Sequence, residues 1–123
     1  MENARVMIVD DNVWERRLVG KALVGSGHEV VHETDSLNST LNALEDIRDG
    51  RLECDAIVLD GNLDRTSRHC ADAKIVASLA RAYELNVKLI GHSTYDMLAM
   101  GVELDSDPGK HQTHLLPEVL DNL

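Results

Sequence analysis

The sequence predicts a doubly wound α/β fold around a five-stranded parallel sheet, with helices on both faces, and three observations carry that expectation. Short apolar runs recur without the polar alternation of a half-exposed strand, above all Val6-Met7-Ile8-Val9 and Ala56-Ile57-Val58-Leu59. Strands that apolar are buried on both faces, the condition of a parallel sheet covered by helices. Segments with helical three-to-four periodicity separate the runs, and strand-helix alternation at this spacing implies right-handed crossovers. The third observation is chemical: the runs end in acids, Asp10-Asp11 after the first and Asp60 after Leu59, at the edge where open α/β sheets keep their functional groups.

Each element has its own signal. Arg5 to Val9 reads as the first strand, and Asn12 after the two acids supplies a helix N-cap. From Val13 to Val24, residues Val13, Leu18, Val19, Ala22 and Leu23 approximate an apolar stripe, with Glu15, Arg16, Arg17 and Lys21 toward solvent; Gly25-Ser26-Gly27 ends the helix. His28 to His32 is a weakly signalled second strand. Leu37, Leu41, Leu44 and Ile47 define a second helix, opened by Asp35-Ser36 and closed near Gly50. After the central strand, Thr66 or Ser67 caps a third helix running through Leu85, with Ala73, Val76, Ala77 and Ala80 on one face, and Val87 to Ile90 is the fourth strand. The last third is less regular. One or two helical turns are expected over Thr94 to Met100, a weak fifth strand over Gly101 to Leu104, and a terminal helix over Leu115 to Leu120 with Pro117 in its first turn.

Composition narrows the function. A chain of 123 residues is expected to be one domain, residues 1–123, without an output domain. Twenty-two acidic against twelve basic residues give a formal net charge of −10, which repels phosphate backbones and anionic lipid, so direct nucleic-acid binding is not expected. The apolar runs are far too short for a bilayer span, and Met1 to Arg5 lead into a strand rather than a signal-peptide core, so the expectation is a cytoplasmic protein without membrane insertion. Cys54 and Cys70 share no metal or redox spacing and read as buried, reduced thiols.

Doubly wound topology places the first and third strands side by side, bringing Asp10 and Asp11 to the same edge as Asp60. Close carboxylates repel, so a proton or a cation must neutralise them, and an all-oxygen cluster with room for water suits Mg²⁺. A third carboxylate is then available as a nucleophile, and Asp60 on the central strand is the candidate. Phosphoryl transfer to it would require a cation and a hydroxyl nearby. Ser93, or Thr94 with a one-residue change of register, stands at the exit of the fourth strand, and Lys110 is the only lysine after Lys88.

These residues resemble the receiver domain of two-component response regulators. The resemblance spans nearly the whole chain and rests on Val9-Asp10-Asp11-Asn12, Asp55 to Leu63, Ser93 and Lys110, with Arg17-Leu18 in the first helix also similar. It implies a flavodoxin-like strand order 2-1-3-4-5. It implies further that Asp60 accepts a phosphoryl group from the phosphohistidine of a histidine kinase or phosphotransfer protein, and that Asp11, Asp60 and the main-chain carbonyl of Asn62 hold Mg²⁺ while Asp10 acts through water. Ser93 would bind a phosphoryl oxygen and Lys110 would pair with it. Such a domain is a switch rather than a conventional enzyme, assisting its own phosphorylation and dephosphorylation. It would signal as a monomer or weak homodimer by contact with a downstream protein target.

The chain departs from the family pattern in three places. Asp64 stands where a proline usually follows the acceptor by four residues; the stretch from Ser93 to Lys110 is short, so the fourth helix is expected to be short or absent; and Lys110 is followed by His111 instead of proline, with no aromatic just before it. A degenerate receiver working as a constitutive interaction module is therefore the alternative. A flavin binder or small phosphohydrolase on the same fold is disfavoured, because the chain has no phenylalanine and no G-x-G-x-x-G after its first strand. Of the six histidines, His28, His32, His111 and His114 read as solvated or interface groups, whereas His92 is expected to line the site mouth and affect dephosphorylation. Trp14 is placed beside the pocket.

Overall fold

The computed structural model describes residues 1–64 and 66–123. The elements are β1 (Arg5–Val9), α1 (Val13–Val24), β2 (Glu29–Thr34), α2 (Leu37–Arg48), β3 (Ala56–Leu59), α3 (Ala71–Ala82), β4 (Lys88–Gly91), a 3-10 turn (Lys110–Leu115) and α4 (Leu116–Asp121). The four strands are parallel, in the order β2-β1-β3-β4. Alternate residues of each central strand feed opposite cores. Met7, Val9, Ile57, Leu59 and Leu89 pack with Ala73, Val76, Ala77 and Ala80 of α3 and Ala43 and Leu44 of α2. Val6, Ile8, Ala56, Val58 and Ile90 pack with Val19 and Leu23 of α1 and Leu116 and Leu120 of α4. This two-sided burial is why the strands are continuous apolar runs.

Local chemistry sets the helix starts. The Asn12 side chain accepts the Trp14 N–H at 2.9 Å and the Glu15 N–H at 3.3 Å, fixing α1 at Val13. At α2 the Ser36 hydroxyl accepts the Ser39 N–H and the Ser39 hydroxyl accepts the Ser36 N–H, a reciprocal capping box. Replacing Ser36 by alanine removes one half of that box and should cost about 1 kcal/mol of stability, read as a lower urea midpoint with an unchanged slope.

Several expectations are corrected. The α1 stripe is narrower than predicted, since only Val19 and Leu23 are buried while Val13 and Leu18 are exposed. The third helix begins at Ala71, not at Thr66 or Ser67. Asp64 accepts the Thr66 N–H and hydroxyl in a local turn, and the Asp72 carboxylate accepts both the Leu63 N–H at 2.8 Å and the Ser67 hydroxyl at 2.5 Å. These bonds hold the acceptor loop in turns that compete with helix.

The fifth strand does not form. Ser106 makes one isolated parallel bridge with Ile90, and its carbonyl accepts the Gly91 N–H at 2.8 Å. The Leu89 N–H, which a fifth strand would have satisfied, donates instead to the Asp105 carboxylate at 2.7 Å, and Arg81 pairs with that carboxylate at 3.1 Å. This side chain and the backbone of Asp105 and Ser106, whose N–H groups donate to the Leu89 carbonyl, stand in for a ladder and leave no orphaned donor there. Val102 drops into the α2–α3 core. Residues 97–101 form turns rather than a helix, tethered by the Asp107 carboxylate, which accepts the Met97 and Leu98 N–H groups. The one or two helical turns expected over Thr94 to Met100 are therefore corrected: of a helix short or absent, the described residues show none here. None of their helices is long and apolar enough to cross a membrane.

Candidate functional site

Parallel register places Val9 beside Leu59 and Leu59 beside Gly91, so Asp10, Asp60 and His92 leave the sheet together. The Asp60 N–H donates to the Val9 carbonyl and the His92 N–H to the Leu59 carbonyl, each at 2.9 Å. Asp10, Asp11 and Asp60 each offer a carboxylate oxygen, and these oxygens lie within 4.8 Å of one another. Asp10 and Asp60 are buried and Asp11 is exposed. The Asn12 N–H donates to one Asp10 oxygen at 2.9 Å. The other Asp10 oxygen is buried without a hydrogen-bond partner among the described residues, with the Lys110 ammonium 3.4 Å away as its counter-charge.

Lys110 Nζ lies at the same 3.4 Å from Asp60. One ammonium faces three acids, and the deficit shows in the proton affinities. Burial and the neighbouring Asp10 charge push the Asp60 carboxyl up to about 7, against the downward pull of Lys110 and of the Gly61 N–H, which donates to Asp60 at 2.8 Å. Burial and Asp10 likewise raise Asp11. Burial pulls the Lys110 ammonium down, but the Asp60, Asp10 and Glu15 charges outweigh it and hold Lys110 raised and charged.

Gly61 explains how the rest of the site closes in. A Cβ built there would stand 2.7 Å from Cys70 Sγ, 3.1 Å from Ser93 Oγ and 3.2 Å from Met97 Sδ. Only a residue without a side chain lets the serine approach the acceptor loop so closely. Ser93 is buried, with its hydroxyl against Gly61, while Thr94 is exposed. Its Oγ accepts the Tyr95 N–H at 3.2 Å, which leaves the hydroxyl proton for another acceptor. Asn62 is half-buried, with its side-chain oxygen buried and unpartnered.

Asp10, Asp60, Lys110 and Ser93 are thus gathered at one sheet edge, with Asp11 at its exposed rim. His92 is not at the mouth. It is 1% exposed, burial and the Lys110 charge lower its pKa to about 4, and its Nε2 lies 2.8 Å from Thr113 Oγ1. His28, read as solvated, is buried, accepting the Ala4 N–H at Nδ1. Trp14 is 67% exposed, with the Arg17 guanidinium 5.0 Å from its ring centre. Two contributors were missed. Arg16 donates to the Asp10 carbonyl at 2.7 Å and pairs with Glu33, and Thr113 donates to the Lys110 carbonyl at 3.0 Å. For Thr113 the sequence held one signal, its position three residues after the lysine.

No protein-family model matches the chain, and no curated protein does. Solved structures match over nearly all of it. The signal receiver domain of NarL from Mycobacterium tuberculosis superposes with a TM-score of 0.75 at 25% identity, covering 99% of this chain and 97% of that one. The non-phosphorylated receiver domain of RcsB from Escherichia coli gives 0.74 at 17%, covering 98% and 92%. The receiver domain of the histidine kinase CKI1 from Arabidopsis thaliana, complexed with Mg²⁺, gives 0.71 at 19%, covering 99% and 92%. With the two-sided packing and the acid-lined edge already in view, these likenesses show that the chain has the fold of a response-regulator receiver domain.

Proposed function

We propose that this domain is a cytoplasmic phosphoacceptor switch. An Asp60 oxygen attacks the phosphorus of a phosphohistidine on a histidine kinase or phosphotransfer protein; the phosphorus–nitrogen bond breaks, and the imidazole leaves with its electron pair and takes up a proton. The observation that carries this reading is the cluster of three carboxylate groups opposed by a single ammonium.

Mg²⁺ suits that donor set, because the oxygens are hard, one of them is buried and unpartnered, and the cluster is short of positive charge. Asp11, Asp60 and the Asn62 carbonyl would hold it, with Asp10 acting through water, and its charge would offset that of the phosphoryl oxygens. Lys110 neutralises Asp60 before transfer and pairs with a phosphoryl oxygen after it. Ser93 donates its free hydroxyl proton to another. The domain does not turn over a separate substrate, so it is a switch and not a conventional enzyme. From the acid edge along its length, α1 exposes Trp14, Leu18 and Val24 together with the basic Arg17 and Lys21. In a chain of net charge −10, that mixed face offers a partner an approach to Asp60 without electrostatic repulsion.

Incubation with acetyl phosphate and Mg²⁺, followed by intact mass spectrometry, should show one phosphoryl-sized gain that chelation of the metal prevents. A folded protein that gains nothing would instead be a constitutive interaction module.

A further inference from the structure

We infer that His92 and Thr113 are positioning residues for Lys110, and that together they replace the fifth strand as its support. The inference deepens the phosphoacceptor reading and rests on it for its kinetic consequence. In the absence of a fifth strand, something else must hold a long, flexible lysine with its ammonium 3.4 Å from both Asp10 and Asp60. The 3-10 turn that carries it is a poor anchor by itself, since Gln112 inside it has non-helical backbone angles.

The support comes from the segment that leaves β4. The Lys110 N–H donates to the Ser93 carbonyl at 3.1 Å, and Gly109 before it has φ +79°, a conformation that favours glycine. On the other side of the same residue, the Thr113 hydroxyl donates to the Lys110 carbonyl at 3.0 Å. A hydroxyl has one proton, so with that proton committed Thr113 accepts from His92 Nε2–H at 2.8 Å. His92 in turn donates its backbone N–H to the carbonyl of Leu59, the residue before Asp60. An unbroken path of hydrogen bonds therefore leads from the acceptor's own strand, through a buried imidazole and a hydroxyl, to the backbone of the lysine. Burial keeps the imidazole neutral, and the committed Thr113 proton places its one N–H on Nε2.

The test compares wild type, Thr113→Val, Thr113→Ser, Lys110→Ala and the double variant Thr113→Val/Lys110→Ala. In metal-free protein, the ¹⁵N-ammonium signal of Lys110, protected from exchange by its carboxylate partners, should be lost in Thr113→Val and kept in Thr113→Ser. With acetyl phosphate and Mg²⁺, Thr113→Val should be phosphorylated roughly tenfold more slowly, Thr113→Ser at the wild-type rate, and the double variant no more slowly than Lys110→Ala alone. A hydroxyl that merely stabilised the fold would still cost rate when Lys110 is absent. A protected ammonium in Thr113→Val, or an additive loss in the double variant, would overturn the inference. If the ammonium behaves as expected but wild type is never phosphorylated, the support stands and the phosphoacceptor reading falls.

Discussion

The Asp60→Asn protein should gain no phosphoryl mass under conditions that modify wild type, and it should be more stable than wild type at pH 8. The first effect follows from removing the nucleophilic oxygen while keeping the shape of the side chain. The second is a linkage effect. Burial and Asp10 raise the Asp60 carboxyl from 3.8 to about 7 in the folded protein. Between those values the folded state binds a proton that the unfolded state does not, so the contribution of Asp60 is fully present below pH 4 and is lost as pH rises through 7. Above that, wild type carries a buried charge that asparagine does not, at a cost of about 4 kcal/mol. The two proteins should therefore converge in urea unfolding near pH 4 and diverge toward pH 8. His92, whose depressed pKa of about 4 gives stability present above 6.5 and lost as pH falls through 4, is common to both and cancels in the difference. Mg²⁺ should stabilise wild type more than the variant. Equal stabilities across the range would show that Asp60 is not held in an acid-crowded site.

Lys110→Ala is expected to slow phosphorylation by acetyl phosphate about a hundredfold, the scale of losing one preorganised charge donor, without weakening Mg²⁺ binding. The ammonium sits 3.4 Å from Asp10 and from Asp60, where it competes with a cation for the same acids. Its removal takes away one source of charge compensation for the nucleophile but leaves the oxygens free, so calorimetric titration should give equal or tighter Mg²⁺ affinity. The Asp60 ionisation midpoint should move above 7, because Lys110 is among the groups that hold it down. A coincident loss of metal affinity and rate would mean that the lysine only maintains the fold of the edge.

The parts of this site that were legible in the sequence are those whose chemistry is local. Ala56–Leu59 could only be a doubly buried strand, Asp60 followed from where its polarity changes, and α1 was bounded by Asn12 and Gly25 because caps act within a turn of the helix. The start of α3 was misjudged because Thr66 and Ser67 have the residue types of a helix cap but are engaged by Asp64 and Asp72 in turns. Residue type does not distinguish those two uses of a hydroxyl. The fifth strand was overcalled for a long-range reason: Val102 has a core to enter, and the Asp105 carboxylate satisfies the β4 edge before a strand can. The role of His92 depended on Thr113, twenty-one residues away, which no local pattern reveals.

That Asp105 carboxylate has one further consequence, for the behaviour of many copies together. A parallel sheet that stops one strand early presents a template on which a neighbour's chain could lay itself down and begin to polymerise. Here that margin is already covered: the backbone of Asp105 and Ser106 bonds to Leu89 and Gly91, and the Asp105 carboxylate, itself tied to Arg81, takes the Leu89 N–H. The colloidal good manners of the domain at that margin thus rest on a two-residue cover, Asp105 and Ser106, that stands in for a whole strand.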